Sequence, residues 1–286
     1  MDPQNQITLI TGCSSGIGMH LAHQFAKHGH PLVLVAPVEG ELQQLRTELT
    51  ALYSISVEIL AKDLENPNAA REIYDDLHQR GINIDILVNN AGHGYHGNWW
   101  QQSLDNDLSM VRLNIEAVLR LSKLFVPKMV ARGRGILFTT ASVAGFEPGP
   151  RMAVYHATKA FVLSWSEALS VELEDTGVQV TALCPGATDT DFFPKAGMEE
   201  ARIFQEGKLM APQDVAEAGY KGMVDGELII VPGVINKALV QGRRILSKKA
   251  QANLNAKMYE EVPAADHKRN RGDVENKDDQ NKRGCL

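Results

Sequence analysis

Seven short apolar runs recur along this chain: Ile7–Thr11, Leu32–Ala36, Val57–Leu60, Ile84–Val88, Ile136–Thr140, Val178–Leu183 and Leu228–Val231. They are rich in Val, Ile and Leu and apolar almost throughout, which predicts strands buried on both faces, as in a parallel sheet. Between them, apolar residues return every three or four positions, the period of a helix packed on a core. One such pattern follows Gly18 through Leu21, Phe25 and Ala26 and stops at Gly29. Others span 40–53 (Leu42, Leu45, Leu49, Leu52), the stretch from Asn66-Pro67 to Gly81, and Leu104 to Met129, with Leu108, Val111, Ile115 and Leu119 on the buried side. A further helix follows Pro150, with Val154, Phe161, Trp165, Ala168 and Leu169 as its apolar face, and another opens at Pro212. Strands alternating with helices predict an α/β fold whose sheet is covered on both sides. Residues 191–211 break the alternation. They are irregular, with Phe192, Phe193, Met198, Phe204 and Met210 as apolar anchors, and read as a lid over a cleft.

Composition narrows the class. The chain has 286 residues, 44% hydrophobic and 22% charged, with a net charge of −6. That is globular, and the acidic balance gives no reason to expect nucleic-acid binding. The opening Met1-Asp-Pro-Gln-Asn-Gln is polar and acidic and predicts no secretory leader. Cys13, Cys184 and Cys285 are an odd, scattered set, which argues for a reducing, cytoplasmic compartment rather than a disulfide framework. No CxxC or HExxH spacing is present, and no metal ligand is predicted.

The chemistry sits at the ends of strands. After the first run comes Gly12-Cys-Ser14-Ser15-Gly16-Ile17-Gly18, between a strand and a helix, the context of a dinucleotide-binding loop. Glycines there let the backbone turn tightly and approach a pyrophosphate at the helix N-terminus. At the third run's end, Asp63-Leu64 is placed either to accept from an adenine amine or simply to cap a turn. Asn89-Asn90-Ala91-Gly92 ends the fourth run; small residues let backbone lie against a cofactor, and the Asn side chains can pin neighbouring strands. Asn114, among apolar neighbours, is either a satisfied core amide or the holder of a water reaching Lys159. Ser142 ends the fifth run, and Tyr155-His-Ala-Thr-Lys159 follows on a helix, where positions four apart share a face. A fixed ammonium lowers the pKa of a nearby phenol, so Tyr155 becomes a proton exchanger for a carbonyl or alcohol oxygen that the Ser142 hydroxyl also bonds. Pro185-Gly186-Ala-Thr188-Asp-Thr190 follows the sixth run, with amides and hydroxyls suited to a nicotinamide carboxamide. His93, His96, Trp99 and Trp100 either line the substrate entrance or pack at the start of the long helix.

Thr11-Gly12-x-x-x-Gly16-Ile17-Gly18, Asn89-Asn90-Ala91-Gly92, Asn114, Ser142, Tyr155-x-x-x-Lys159 and Pro185-Gly186, in this order over about residues 5–233, resemble the short-chain dehydrogenase/reductase family. The resemblance implies a single Rossmann-type, doubly wound domain with a seven-stranded parallel sheet, an NAD(P)(H) cofactor, and assembly as a homodimer or homotetramer. It also implies a catalytic set of Asn114, Ser142, Tyr155 and Lys159. In that set Tyr155 is the acid/base, Ser142 orients the substrate oxygen, Lys159 holds the nicotinamide ribose and lowers the Tyr155 pKa, and Asn114 organises a relay water. Pro148-Gly149-Pro150 and Ala157-Thr-Lys-Ala-Phe161 are similar to reductases of the hydroxysteroid and 3-oxoacyl type. The expected reaction interconverts a carbonyl and a secondary alcohol on a fairly apolar substrate. The rival reading is a non-catalytic dinucleotide-binding or redox-sensing protein, which would not need the proton-transfer groups.

The second strand departs from the family pattern. The family places Asp at Ala36 for NAD, or a basic residue at Pro37 or Ser15 for NADP, and none is present. Without the acid, repulsion of a 2′-phosphate is absent, so the reading leans to NADP(H) over NAD(H), with Ser14 and Ser15 as partial compensation. Beyond the catalytic domain (1–233), residues 234–262 read as a C-terminal amphipathic basic helix. Ile235, Leu239, Leu246, Ala250 and Leu254 form its apolar side, opposite Lys237, Arg243, Arg244, Lys248, Lys249 and Lys257. It suits either a cover over the substrate cleft or a subunit interface, or peripheral attachment to an anionic membrane surface. Residues 263–286 are polar, of mixed charge and without aromatics, and predict a disordered tail; Cys285-Leu286 does not fit a prenylation box.

Overall fold

The computed structural model describes residues 6–243 and 245–269. Seven strands form one sheet: β1 (Thr8–Thr11), β2 (Leu32–Ala36), β3 (Val57–Ala61), β4 (Ile86–Asn89), β5 (Gly135–Thr140), β6 (Val178–Leu183) and β7 (Ile229–Ile230). The order is β3-β2-β1-β4-β5-β6-β7, and every pairing is parallel. This is the doubly wound sheet implied by the sequence. The strand order reverses between β1 and β4, and in such sheets the crevice outside the carboxyl ends of those strands is the ligand site.

Period-two alternation along the strands divides the core. Ile10, Leu34, Val88 and Phe138 face one layer, made by α1 (Gly16–Lys27), α2 (Glu39–Tyr53) and, late in the chain, Val215, Ala216 and Tyr220. Leu9, Val33, Leu87 and Leu137 face the other, with α3 (Ala69–Gln79) and the helices that follow. Both layers are built of side chains with almost no exposure, so the strands are nearly continuous apolar runs.

The predicted helix from Leu104 to Met129 is not continuous. It comprises α4 (Leu104–Val111), a π-helical turn (Arg112–Glu116) and α5 (Ala117–Arg132). The extra residue in the wide turn shifts the buried face by one position. Leu108 and Val111, expected inside, are exposed, and Ser109 and Met110 are buried instead, while Asn114 is buried as expected. The remaining helices are α6 (Ala153–Glu172), α7 (Phe192–Lys195), α8 (Arg202–Gln205), α9 (Pro212–Val224), α10 (Val234–Arg243) and α11 (Lys248–Met258). Residues 191–211, expected as a lid, carry two single-turn helices, anchored by Phe193, Met198 and Phe204 in one apolar cluster with Tyr259.

The expected single helix over 234–262 is two helices, α10 and α11. Residues 263–269, expected to be disordered, are held against α8. The amides of Lys268 and Arg269 donate to Gln205 Oε1 at 2.8 and 2.9 Å. Arg244 and residues 270–286, including Cys285, lie outside the described residues. Among the described residues, no helix is long and apolar enough to cross a membrane, and no group of three or more His, Cys, Asp or Glu could hold a metal ion.

Candidate active site

Every parallel strand delivers its last residues to one edge of the sheet, and the sequence motifs lie on that edge. They surround a cavity of about 520 Å³, within the roughly 300–1,000 Å³ usual for small-molecule sites. All the residues expected at the cofactor line it: Gly12, Ser14, Ser15, Gly16, Ile17, Gly18, Asp63, Leu64, Asn90, Ala91, Gly92, Tyr155, Lys159, Pro185, Gly186, Thr188 and Thr190. Ser142 lines it as well, while Asn114 stands one layer behind.

The glycine loop is glycine for steric reasons. Gly12 and Gly16 have φ of 62° and 55°, the left-handed region. A Cβ on Gly12 would sit 2.7 Å from Ala91 Cα, and one on Gly18 2.1 Å from the Gly12 carbonyl oxygen. Ser15 is the N-cap of α1 without a side-chain cap bond, so the N-terminus of α1 meets the cavity without its own hydroxyl covering it. Asn90 holds the loop in place. Its Nδ2 donates to the carbonyls of Thr11 and Gly12, both at 3.1 Å. Its Oδ1 accepts from Thr140 Oγ1 at 3.1 Å, so one side chain ties the tips of β1, β4 and β5.

At the other end, Asp63 Oδ1 accepts from the Glu65 amide at 2.9 Å. The turn cap is thus present, at a residue that also lines the cavity. Sequence reasoning missed Lys62. Its amide donates to the Ala36 carbonyl at 3.0 Å, and its side chain lines the cavity with Ala36 and Pro37 while bridging to Glu72 at 2.5 Å. The signal was a cation beside Asp63, hidden because only the β2–β3 pairing brings it next to Ala36.

Two of the residues expected in the catalytic set meet beside Gly92, where an added Cβ would stand 3.1 Å from Asn114 Oδ1 and 3.4 Å from Lys159 Nζ. Lys159 Nζ donates to the Thr140 carbonyl at 2.7 Å and lies 5.8 Å from the Tyr155 ring centre. Burial pushes the Lys159 ammonium down to about 8. Tyr155 differs from expectation. Burial pushes its phenol up to about 12, against a lowering hydrogen bond with Ser142. The ammonium that was to lower it is directed at the Thr140 carbonyl and is itself disfavoured by burial. Tyr155 is therefore a neutral phenol near neutral pH. Asn114 is hydrogen-bonded as a buried amide must be: Nδ2 donates to the His93 carbonyl at 2.9 Å and to Thr158 Oγ1 at 3.1 Å, and Oδ1 accepts from the His93 amide at 3.1 Å. The π-turn aims it there. Ser142 Oγ accepts from the Ala144 amide at 3.1 Å, fixing the hydroxyl at the end of β5.

The apolar wall is Met152, Phe192 and the Tyr155 ring, which converge where a Cβ on Gly94 would be 2.8 Å from Phe192 Cζ. His93 lines the cavity and bonds Ser109 Oγ at 2.9 Å. His96 packs outward onto the Tyr259 carbonyl at 2.8 Å. Trp99 and Trp100 are exposed, Trp99 Nε1 donating to Asp107. Cys13 and Cys184 are free and fully buried, and burial raises both thiols to about 12.

Sequence reasoning also missed the clamp behind Tyr155. His156 Nδ1 donates to the Glu147 carbonyl at 2.8 Å, which leaves Nε2 to accept from the Tyr259 hydroxyl at 2.8 Å. Arg151, at φ 65°, is held in the left-handed region. Gly97 donates to its carbonyl at 2.9 Å, and its guanidinium pairs with Glu261 at 3.3 Å. Burial pushes the His156 imidazole down to about 4. A histidine kept neutral in the fold stabilises it fully above the unfolded pKa near 6.5 and loses that contribution as pH falls to 4. The shift is worth about 3 kcal/mol at about 1.4 per unit. The wild-type protein is expected to lose thermal stability between pH 6.5 and 4, and His156→Gln to flatten that slope. An equally steep slope in the variant would assign the acid sensitivity elsewhere.

Comparison with known proteins agrees with this geometry. The sequence model of the short chain dehydrogenase family matches residues 6–201. A very-long-chain 3-oxoacyl-CoA reductase of Pyrenophora tritici-repentis is 36% identical over 184 residues, 62% of this chain and 53% of that protein. The chain thus spans about half the length of the first curated relatives it matches. A short-chain dehydrogenase from Sphingobium yanoikuyae, solved with NADPH, is 34% identical, with a TM-score of 0.75 over 86% of this chain and 98% of that one. A short-chain dehydrogenase/reductase from Burkholderia phymatum, solved with NAD, is 25% identical, with a TM-score of 0.77 over 92% of this chain and 99% of that one. The parallel sheet, the glycine loop at the β1–β4 crevice and the matched span together make this chain a member of the short-chain dehydrogenase/reductase family.

Proposed function

We propose that the protein interconverts a ketone and a secondary alcohol on an apolar substrate, with NADP(H) as its preferred cofactor and Tyr155 as proton donor. The observation that carries this reading is the meeting of Ser142, Tyr155 and Lys159 in one cavity with the glycine loop. The cradle fits a dinucleotide: the glycine loop lines the cavity, and Gly12 and Gly18 let it pack directly on Ala91 and Asn90, where a side chain would collide. The loop Gly12–Gly18 and the N-terminus of α1 would hold the pyrophosphate, Asp63 and Leu64 the adenine, Asn90–Gly92 and Lys159 the nicotinamide ribose, and Pro185, Gly186, Thr188 and Thr190 the carboxamide. When bound, the nicotinamide supplies the hydride. The chain supplies the rest. The Ser142 hydroxyl orients the substrate oxygen, and the Tyr155 O–H gives that oxygen its proton. The phenol, which burial pushes up to about 12, is protonated at neutral pH and so can give a proton in the direction of reduction. Met152, Phe192 and Phe193 line the cavity and exclude water. The 3-oxoacyl-CoA substrate of the curated relative is consistent with that apolar wall.

The test is NADPH consumption with apolar ketones and 3-oxoacyl thioesters. A folded protein that binds NADPH yet turns over none of them, in either direction, would favour the non-catalytic dinucleotide-binding reading. Lys62 supports the cofactor preference, since an ammonium at the Ala36–Pro37 end suits a 2′-phosphate. It shares its charge with Glu72 and is partly exposed, so the effect is modest, about 1 kcal/mol. Lys62→Ala is expected to weaken NADPH binding about fivefold and leave NADH binding unchanged. Equal losses for both cofactors would remove Lys62 from 2′-phosphate recognition.

A further inference from the structure

The water-facing side of α10 is apolar, where a surface helix should be polar. At about 100° per residue, Val234, Ile235, Ala238 and Leu239 share one side of this helix, and Asn236 and Val240 lie opposite. The Asn236–Val240 side is the one that docks. Val240 is buried in a cluster with Ala141, Val162 and Leu163, and Asn236 Nδ2 donates to the Pro232 carbonyl at 2.9 Å. The aliphatic side is left in water: Val234 is 84% exposed and Ile235 62%. The turn after α10 continues it, with Ile245 88% exposed. Ile235, Leu239 and Leu246 line one concave surface, so these side chains form a contiguous patch rather than scattered single residues. A contiguous exposed patch of this kind marks a surface that something covers.

Charge says what covers it. Residues 228–259 hold six cations, Lys237, Arg243, Arg244, Lys248, Lys249 and Lys257, and no Asp or Glu. The whole chain carries −6, so the rest of it carries −12. Positive charge is thus gathered around the apolar patch on an otherwise acidic protein. Lys237, Lys248, Lys249 and Lys257 are all exposed. Among the described residues, none of the four forms an ion pair. Lys248 and Lys249 open α11, at the end where the helix dipole disfavours a cation, although Lys248 Nζ does reach the Phe146 carbonyl at 3.1 Å. Where the surface is concave, Lys208 and Lys248 face a single acid, Glu147, whose Oε2 is buried. A two-fold contact with a second copy would set these cations against one another. A surface of opposite sign that also accepts aliphatic side chains fits them instead.

We propose that α10 and the turn after it dock this protein on an anionic phospholipid bilayer. Val234, Ile235, Leu239 and Ile245 enter the boundary between headgroups and acyl chains, and Lys237, Lys248 and Lys249 stand among the headgroup phosphates. The helix lies flat: α10 has ten residues, about 15 Å of helix, against a hydrocarbon core of about 30 Å. Docking of this kind is independent of the reaction carried out in the catalytic cavity.

The experiment is sedimentation of the full chain with vesicles of phosphatidylcholine alone and of phosphatidylcholine mixed with phosphatidylglycerol. The protein is expected to pellet with the mixed vesicles and to be released as salt shortens the Debye length from about 10 Å at 0.1 M to about 3 Å at 1 M. Lys237→Gln with Lys249→Gln is expected to weaken binding about thirtyfold, the equivalent of about 1 kcal/mol for each cation near the surface. Val234→Ser with Ile245→Ser is expected to weaken it more than tenfold by removing the inserted aliphatic surface. All four positions are exposed, and thermal unfolding checks that the variants fold; the single substitutions repeat the test should a double variant unfold. No binding to either vesicle, equal binding to both, or undiminished binding by both folded double variants would overturn the proposal. Self-association in solution that Val234→Ser with Ile245→Ser abolishes, without vesicle binding by the wild type, would overturn it as well and assign the patch to a second copy of the chain.

Discussion

Replacing Tyr155 with Phe is expected to lower kcat by about a hundredfold to ten-thousandfold, the usual worth of a positioned general acid, with little change in cofactor affinity. The substitution keeps the ring and its packing against Phe192, whose centre lies 5.2 Å away. It removes only the hydroxyl and its bond with Ser142. Cofactor titration followed by tryptophan fluorescence separates binding from chemistry. Turnover close to wild type would mean that the proton comes from another group, and would remove the central step of the proposal. An equal loss of cofactor binding and turnover would assign Tyr155 to the binding surface rather than to proton transfer.

Gly18→Ala is expected to have the next largest effect, on cofactor binding. The new methyl would stand 2.1 Å from the Gly12 carbonyl oxygen and 2.4 Å from Asn90 Nδ2. Both are rigid, since the Asn90 amide is tied to the Thr11 and Gly12 carbonyls, so the loop has to move off the N-terminus of α1. Losing two charge-assisted hydrogen bonds to a pyrophosphate, at about 1.5–3 kcal/mol each, corresponds to a loss of at least a hundredfold in affinity. Gly40→Ala is the control, since a Cβ there meets nothing within 4 Å. Titration of both variants with NADPH, alongside thermal unfolding, decides the matter. Wild-type affinity in a folded Gly18→Ala protein would place the pyrophosphate elsewhere.

Much of this site was legible in the sequence because its determinants are local. Strand, glycine loop and helix are contiguous from Thr8 to Lys27, and the Tyr155–Lys159 spacing needs only one turn of helix. Residues whose roles depend on distant pairing were not legible. Lys62 acquires its place from the β2–β3 register, Ala36 opposite Ala61. His156 and Tyr259 are 103 positions apart, and nothing in the local sequence pattern of either joins them. The π-turn escaped because one inserted residue changes which face is buried without changing the average spacing of apolar residues. The Tyr155 pKa was misjudged for a related reason. Adjacency to Lys159 is written in the sequence, whereas the burial that outweighs it is a property of the assembled lid.

The two buried thiols give this architecture a built-in clock. Cys13 belongs to the glycine loop, its sulfur directed at the Val35 carbonyl, and Cys184 directly follows β6. Neither is reached by solvent in the closed fold, and a thiol raised to about 12 is almost wholly protonated and unreactive. Alkylation of either therefore records a local unfolding event rather than surface chemistry. Because the two stand on opposite sides of the β1–β4 crevice, their separate labelling rates, resolved by peptide mass, report whether the cofactor half and the substrate half of the domain open together or one at a time.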